Sequence, residues 1–388
     1  MKSVKKMITR LKTEKDFMKR FPVYNENDDK KHVLFLGPTL NTSGYYRMIL
    51  PALELNNTKT HRAIVSNIHK LDFNKQFNDY DTAVDERLIK WANYIVFPTM
   101  LTDISYIIKE INDINEEVEY FMDIDTNYFA FPENHPQFKK ISENQLLTML
   151  DNFLQTGIIT APNKDLLKFY DRLIRETYKD EFVFTEFLPN LISHFGYQNI
   201  EQINRNGTDK IRLGIIANAG SKNDLLAITN VLKQVNKQHG NNVEVIIFGW
   251  DGKHNDTDLL KDIKFTYEKP VKFLDYFQKL NELMFDLALI PIADIPYNTQ
   301  GKSFTKYLEL SHFEIPVIAS KLSLYQNIIT DGENGFLADS ENDWLEKIDM
   351  LINDKNLRHS IGGYAHRFIW ENLSYTKKNL YLLQEIFH

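Results

Sequence analysis

The 388-residue chain contains no cysteine. That excludes disulfides, thiolate nucleophiles and cysteine-ligated zinc together, and it fits a reducing compartment, so a cytoplasmic location is expected. No apolar run approaches the roughly 18 residues that a membrane-spanning helix needs. The first residues also lack the continuous apolar stretch of a secretory signal. An excess of positive charge is missing too: 46 Lys and Arg face 53 Asp and Glu, a net charge of -7. A nucleic-acid backbone would meet no long-range attraction, and small substrates are the easier reading. What is present is an ordinary globular balance, 43% hydrophobic and 26% charged, with a high aromatic share of 13%. This excludes a disordered or fibrous chain, and the length exceeds one ordinary core, so two α/β domains are expected.

The first 21 residues set Val4, Met7, Ile8, Leu11, Met18 and Phe21 near helical spacing among eight Lys and Arg side chains. The pattern predicts a basic amphipathic helix. Such a helix either packs its stripe on its own domain or lies on anionic lipid, which would make the protein peripheral at a membrane. From Lys31 a βα rhythm begins, with short apolar runs at 33–37, 62–66, 94–98, 119–123 and 157–161. Runs of this length suit strands buried on both faces of a parallel sheet. The rhythm breaks between Pro189 and Lys210, where Asn190, Gly196, Asn206 and Gly207 supply turn chemistry, and restarts with runs at 211–218, 243–249, 286–292 and 315–320. The expected organisation is a helix over 1–30, a first Rossmann-like domain over 31–195, a second over 208–365, and a C-terminal helix over 366–388 that crosses back to the first. Ligands of such sheets bind at strand C-terminal ends, so a central cleft between the two halves is the expected site.

The most informative stretch starts at Lys302. In KSFTKYLEL, Lys302, Lys306 and Glu309 recur at spacings of four and three, and Ser303 is placed to cap the helix. A helix N-terminus favours a diphosphate, a lysine there offsets its charge, and a glutamate one turn on accepts hydrogen bonds from ribose hydroxyls. A solvated Lys–Glu pair on a surface helix would give the same spacing. The sequel is a buried strand, IPVIAS, and a DGENGF turn. Earlier, Gly220 and Ser221 follow the strand 211–218 and precede a helix, where glycine allows close approach and amides face a ligand.

With its sequel this stretch resembles the donor domain of retaining GT-B glycosyltransferases, the family 4-like, glycosyl transferases group 1 proteins. The matching residues are Lys306, Glu309, Pro316, Val317, Ile318, Ser320, Asp331, Gly332, Asn334, Gly335, Phe336, Asp343 and Trp344. The resemblance implies an α/β GT-B fold of two Rossmann-like, doubly wound domains facing a cleft. It also implies that Glu309 binds the donor ribose, while Lys222, Lys302, Ser303, Phe304 and Lys306, with Gly220 and Ser221, hold the diphosphate. Gly301 stands where the family's common first glutamate falls, and Ala217 where a loop arginine is frequent, so the chain resembles the subgroup with Lys-Ser-x2-Lys-x2-Glu in that place.

In the N-terminal half, GPTLNTSGYYR resembles the glycine-containing loop that faces the donor sugar, which would put Gly44 and Arg47 there. The strand end at Asp123 and Asp125 resembles the subgroup's acceptor edge. A paired carboxylate orients or deprotonates an acceptor hydroxyl, or binds a divalent cation; turn chemistry is the plainer account. We favour acceptor contacts and no metal. His135, between Asn134 and Pro136, is expected to be structural, because no further metal-ligating residues accompany it. The expected activity is transfer of a sugar from a UDP- or GDP-sugar, with no other cofactor, to a hydroxyl of a glycan, lipid-linked or protein acceptor. Lys222 and Lys306 would stabilise the leaving group. Two rival expectations are a catalytically silent homologue serving a glycosylation complex and a glycosyltransferase acting on modified DNA bases.

Overall fold

The computed structural model describes residues 1–66, 85–179, 181–198, 200, 203, 210–250 and 260–388. The chain forms two compact units: Met1–Phe129 with Ile141–Asn199 and Tyr375–His388, and Ala130–Lys140 with Ile200–Ser374. Asn206 and Gly207, part of the expected boundary, lie outside the described residues.

The first unit is built on β1 (Lys31–Phe35), β2 (His61–Val65), β3 (Tyr94–Pro98), β4 (Glu119–Asp123), β5 (Ile158–Ala161) and β6 (Phe184–Phe187), all parallel in the order β2-β1-β3-β4-β5-β6. β1 to β5 coincide with the apolar runs because strands covered on both faces must be apolar at nearly every position; β3 is buried throughout. β6 is an edge strand exposed at every residue, which explains why no apolar run announces it.

The second unit holds β7 (Ile211–Ile216), β8 (Val243–Phe248), β9 (Thr266–Glu268), β10 (Leu287–Ile290), β11 (Val317–Ser320) and β12 (Phe336–Ala338), parallel in the order β12-β11-β10-β7-β8-β9. Leu213, Ile215, Val245, Ile247 and Leu289 form its core with Leu232 and Ile348. Two doubly wound parallel sheets are the fold class expected of a GT-B chain. In each sheet the order reverses once, between β1 and β3 and between β7 and β10, and the loops leaving the carboxyl ends there part to opposite faces.

Two helical expectations are revised. The N-terminal helix covers Lys2–Thr13 and buries Val4, Met7, Ile8 and Leu11 within the first unit, against the helices Phe17–Arg20 and His194–Tyr197. It does not continue to residue 21: Asp16 accepts a hydrogen bond from the Lys19 amide and starts the short second helix, leaving Met18 exposed. At the C-terminus, the helix Lys355–Asn372 belongs to the second unit. Thr376 then caps a separate helix, Lys377–Ile386, that belongs to the first. Phe387 anchors that return, its ring 5.1 Å from Phe121 and its carbonyl accepting from His61 Nε2 at 2.9 Å. Among the described residues no helix is long and apolar enough to cross a membrane.

Candidate functional site

In the second unit the loops after β7 and β10 leave the sheet side by side at the point of order reversal. The β7 loop turns through Asn218–Ser221 into the helix Lys222–Ala227. Asn218 organises it: its Oδ1 accepts from the Gly220 amide at 2.9 Å, and its carbonyl accepts from the Ser221 amide at 2.9 Å. The expectation that these amides face a ligand is therefore corrected, since an Asx turn takes them first. Ser221 is buried, its hydroxyl bonded to Asn218. Lys222 stands at the first position of the helix, half-buried.

From the β10 side, the helix Pro296–Gly301 ends at Lys302, and a second helix, Thr305–His312, starts immediately after. Lys302 therefore precedes the helix that carries Lys306 and Glu309 instead of sharing it. Phe304, not Ser303, is the N-cap residue, and no side chain caps that end. The Phe304 carbonyl accepts the Tyr307 and Leu308 amides, and its ring is buried.

Asp224, buried in the first turn of the helix Lys222–Ala227, joins the two loops. Its Oδ1 accepts from the Ala293 amide at 3.0 Å and from Asn298 Nδ2 at 2.8 Å, and its Oδ2 pairs with Lys302 Nζ at 2.5 Å. Lys306 is half-buried beside this pair. Burial first, and the Lys302 charge second, draw its ammonium down to about 8, against the pull of Asp224 and Glu309. Glu309, one turn deeper, is buried and accepts from the Tyr276 hydroxyl at 2.7 Å, with Tyr276 stacked on Phe248 at the end of β8. Two ammonium groups on one nearby carboxylate, over a second carboxylate held from behind, form a site suited to an anion with a hydroxyl-bearing neighbour. The DGENGF segment supports it from below: Tyr307 donates to the Asn334 carbonyl at 2.9 Å, and Asn334 bonds Thr330 and Ile328.

The first unit presents a different cluster. Arg47 lies on a π-helical turn, Tyr45–Ile49, and is 2% exposed; Asp123, at the end of β4, is 5% exposed. Arg47 Nη2 donates to Asp123 Oδ1 at 2.7 Å and Nε donates at 3.1 Å. Thr160 adds its hydroxyl at 2.5 Å, and Arg47 Nη1 is taken up by the Leu188 carbonyl and Asn190. Burial pushes the Asp123 carboxyl up, and Arg47 pulls it back. The expectations that Arg47 meets the donor sugar and Asp123 the acceptor are corrected: the two neutralise each other inside the unit. Gly44 has a packing reason, since a Cβ there would lie 1.9 Å from the Thr39 carbonyl oxygen. Asp125, two residues on, is half-buried and accepts from the Thr126 hydroxyl at 3.2 Å, so it is the more exposed carboxylate of this pair.

The sequence reading missed three residues of the second-unit site. Asp224 and Asn218 flank the recognised Lys222 and carried a signal, an acid in a first helical turn and a turn-forming amide. Tyr276 carried none. His135, expected to be structural, is brought by the segment Ala130–Lys140 into the second unit, against Gly220.

The glycosyl transferases group 1 family model matches residues 197–368. No curated protein matches the sequence. Among solved structures, a glycosyltransferase from Rickettsia africae is similar with a TM-score of 0.60 at 12% identity, over 93% of this chain and 98% of that one. Anabaena HepE in complex with UDP and glucose gives 0.53 at 13%, over 92% and 98%. A mutant of S. aureus TarM in complex with fondaparinux, α-GlcNAc-glycerol and UDP gives 0.53 at 16%, over 77% of this chain and 56% of TarM, so the chain spans little more than half of that protein's length. Identities this low speak for the fold. The matched residues 197–368 contain the Asp224, Lys302, Lys306 and Glu309 cluster.

Proposed function

We propose that the chain transfers a sugar from a nucleoside-diphosphate sugar, a UDP- or GDP-sugar, to a hydroxyl of a glycan, lipid-linked or protein acceptor, with retention at the anomeric carbon. The observation that carries this reading is Lys302 paired with the buried Asp224 carboxylate, with the half-buried Lys306 within their electrostatic reach and Glu309 one helical turn below. The diphosphate lies across Lys302, Lys306 and Lys222, and the ribose hydroxyls share the Glu309 carboxylate with Tyr276. UDP in the TarM and HepE complexes supports the donor class.

In the reaction the bond from the anomeric carbon to the β-phosphate oxygen breaks and a bond to the acceptor oxygen forms. The acceptor proton passes to the leaving diphosphate, and Lys302 and Lys306 stabilise the charge that develops there. Asp125 orients the acceptor hydroxyl. We read the lysines as the counter-charge. The apolar stripe of residues 1–13 is spent on the first unit, so contact with anionic lipid would run through the exposed Lys2, Lys5, Lys6 and Lys12 alone.

The test is calorimetric titration of the full chain and of Glu309→Ala with UDP, GDP and their sugars. Binding of one nucleotide by the wild type, weakened at least about tenfold in the variant by loss of charge-assisted hydrogen bonds, is the expected result. No binding of either nucleotide would sink the donor reading in favour of a silent homologue.

A further inference from the structure

We propose that His135 is a further donor-binding residue, whose imidazole Nε2–H donates to the nucleotide diphosphate from the wall that also carries Lys302. This rests on the donor reading above and extends it to a residue outside the matched domain.

The argument starts with where the chain goes. Residues 130–140 come from the N-terminal half of the sequence but belong to the second unit. Asn134 and Asn223 exchange side-chain hydrogen bonds at 2.6 and 3.2 Å, which ties this strap to the helix that begins with Lys222. His135 follows Asn134 and is laid onto the β7 loop. A Cβ at position 220 would lie 2.6 Å from its Nε2, so glycine there is what allows the ring to approach. The ring plane is fixed by stacking on Phe131, centroids 4.3 Å apart at 23°, and by Tyr297 at 4.9 Å. Tyr297 in turn sits under Lys302, whose Nζ is 5.7 Å from the ring centroid. The imidazole thus shares a wall with the lysine and touches the loop that carries Gly220.

The ring is also fixed in its chemistry. The Gln137 amide donates to His135 Nδ1 at 3.2 Å, so Nδ1 is the acceptor and the proton of the neutral ring sits on Nε2, the nitrogen over Gly220. Burial, and secondarily the Lys302 charge, hold the ring neutral, with its pKa down to about 4. A half-buried N–H donor on the wall that carries Lys302 adds a directed hydrogen bond to an anion without adding a third charge to repel Lys302 and Lys306. A histidine used only to fill space would have no need of a fixed tautomer or of glycine beneath it.

The experiment uses the full chain with three variants. His135→Phe keeps the aromatic wall and removes the donor, His135→Gln restores an N–H, and His135→Ala removes both. Affinities for UDP and GDP are read by calorimetry, and for uridine and guanosine by ligand-observed NMR. Loss of about tenfold for the bound nucleotide in His135→Phe and His135→Ala, recovery in His135→Gln and unchanged nucleoside binding are expected, the size being that of one hydrogen bond to a charged group. Nucleotide affinity equal to wild type in both His135→Phe and His135→Ala would overturn the proposal, and so would nucleoside binding that falls in parallel. A second reading, independent of the variants, is the His135 imidazole in 15N NMR of the wild type: its pKa should rise when UDP or GDP is added, and a shift-free ring would overturn the proposal. A wild type that binds neither nucleotide overturns the donor reading itself, a result distinct from nucleotide binding that ignores His135.

Discussion

The two units carry comparable charge clusters at the carboxyl ends of their sheets, and the clusters are built to opposite ends. In the first unit, Arg47 and Asp123 are almost fully buried, and the Arg47 donors and Asp123 Oδ1 end on each other, Thr160, Asn190 or the Leu188 carbonyl. In the second, Lys302 meets Asp224, but Lys306 sits half-buried beside them with its proton weakly held. A pair closed on itself gives specificity of packing, whereas a cluster that with Lys222 gathers three lysines around the Asp224 and Glu309 carboxylates has one cation in surplus and is poised for an anion from outside. The difference teaches where to look for binding: a strongly charged side chain at a strand end is a candidate only when its neighbours leave its charge uncompensated.

The largest expected effect breaks the first cluster. Asp123→Ala leaves the Arg47 guanidinium buried without its carboxylate and should cost about 3–5 kcal/mol in chemical unfolding. Replacing both, Arg47→Met with Asp123→Leu, should recover most of that loss, because two apolar groups need no partner. A single variant as stable as wild type would show that the pair is not closed.

The corresponding change in the second cluster should leave stability nearly untouched and remove binding. Lys306→Ala deletes an ammonium that burial disfavours in the fold, so unfolding near pH 7 should show no loss of stability. Affinity for UDP or GDP should fall about 10–100-fold, the worth of one charge-assisted contact. If Lys306→Ala destabilises as Asp123→Ala does, the two clusters are not different in kind.

The surplus cation also sets a pH signature. The folded Lys306 pKa is lowered to about 8 from an ordinary value of 10.5. Between those limits the unfolded chain binds the proton that the folded chain has released, so this group's contribution to stability rises with pH across the window. Nucleotide binding runs the other way, since the diphosphate needs the ammonium: affinity should decline above about pH 8, by up to about tenfold per unit. Titrations from pH 7 to 9.5 should show this bend in the wild type and lose it in Lys306→Met.

Much of this architecture was legible in the chain, for a physical reason. Nine of the twelve strands among the described residues are announced by apolar runs, because strands covered on both faces leave no position for polar side chains. The three missed strands give no such run: β6 is exposed throughout, β9 has three residues and is not buried, and β12, though buried, is only three residues long. In the site, Lys306 and Glu309 were legible because a helix turns sequence spacing into spatial adjacency. The Arg47–Asp123 pair, 76 residues apart, and the His135 contact with Gly220 are made by tertiary packing, which local spacing does not encode. Ser303 failed as a cap because Lys302 closes one helix and Phe304 opens the next, a break that the spacing of four concealed.

The finest comparison sets two hydroxyls side by side. Thr160 donates to Asp123 at 2.5 Å, and Tyr276 donates to Glu309 at 2.7 Å. Thr160→Val and Tyr276→Phe each delete one such bond to a buried carboxylate. In the closed cluster the loss has nowhere to go but stability, about 1.5–3 kcal/mol for a hydrogen bond to a charged group, with nucleotide affinity unchanged. At Glu309 the freed carboxylate is the group that the ribose is proposed to use. Tyr276→Phe should therefore cost stability in the empty protein and return part of it when nucleotide is bound, so that its penalty, measured by thermal unfolding with and without saturating UDP or GDP, shrinks in the complex. An equal penalty in both states would mean that the ribose does not reach Glu309 and that the second cluster, at this depth, is as closed as the first.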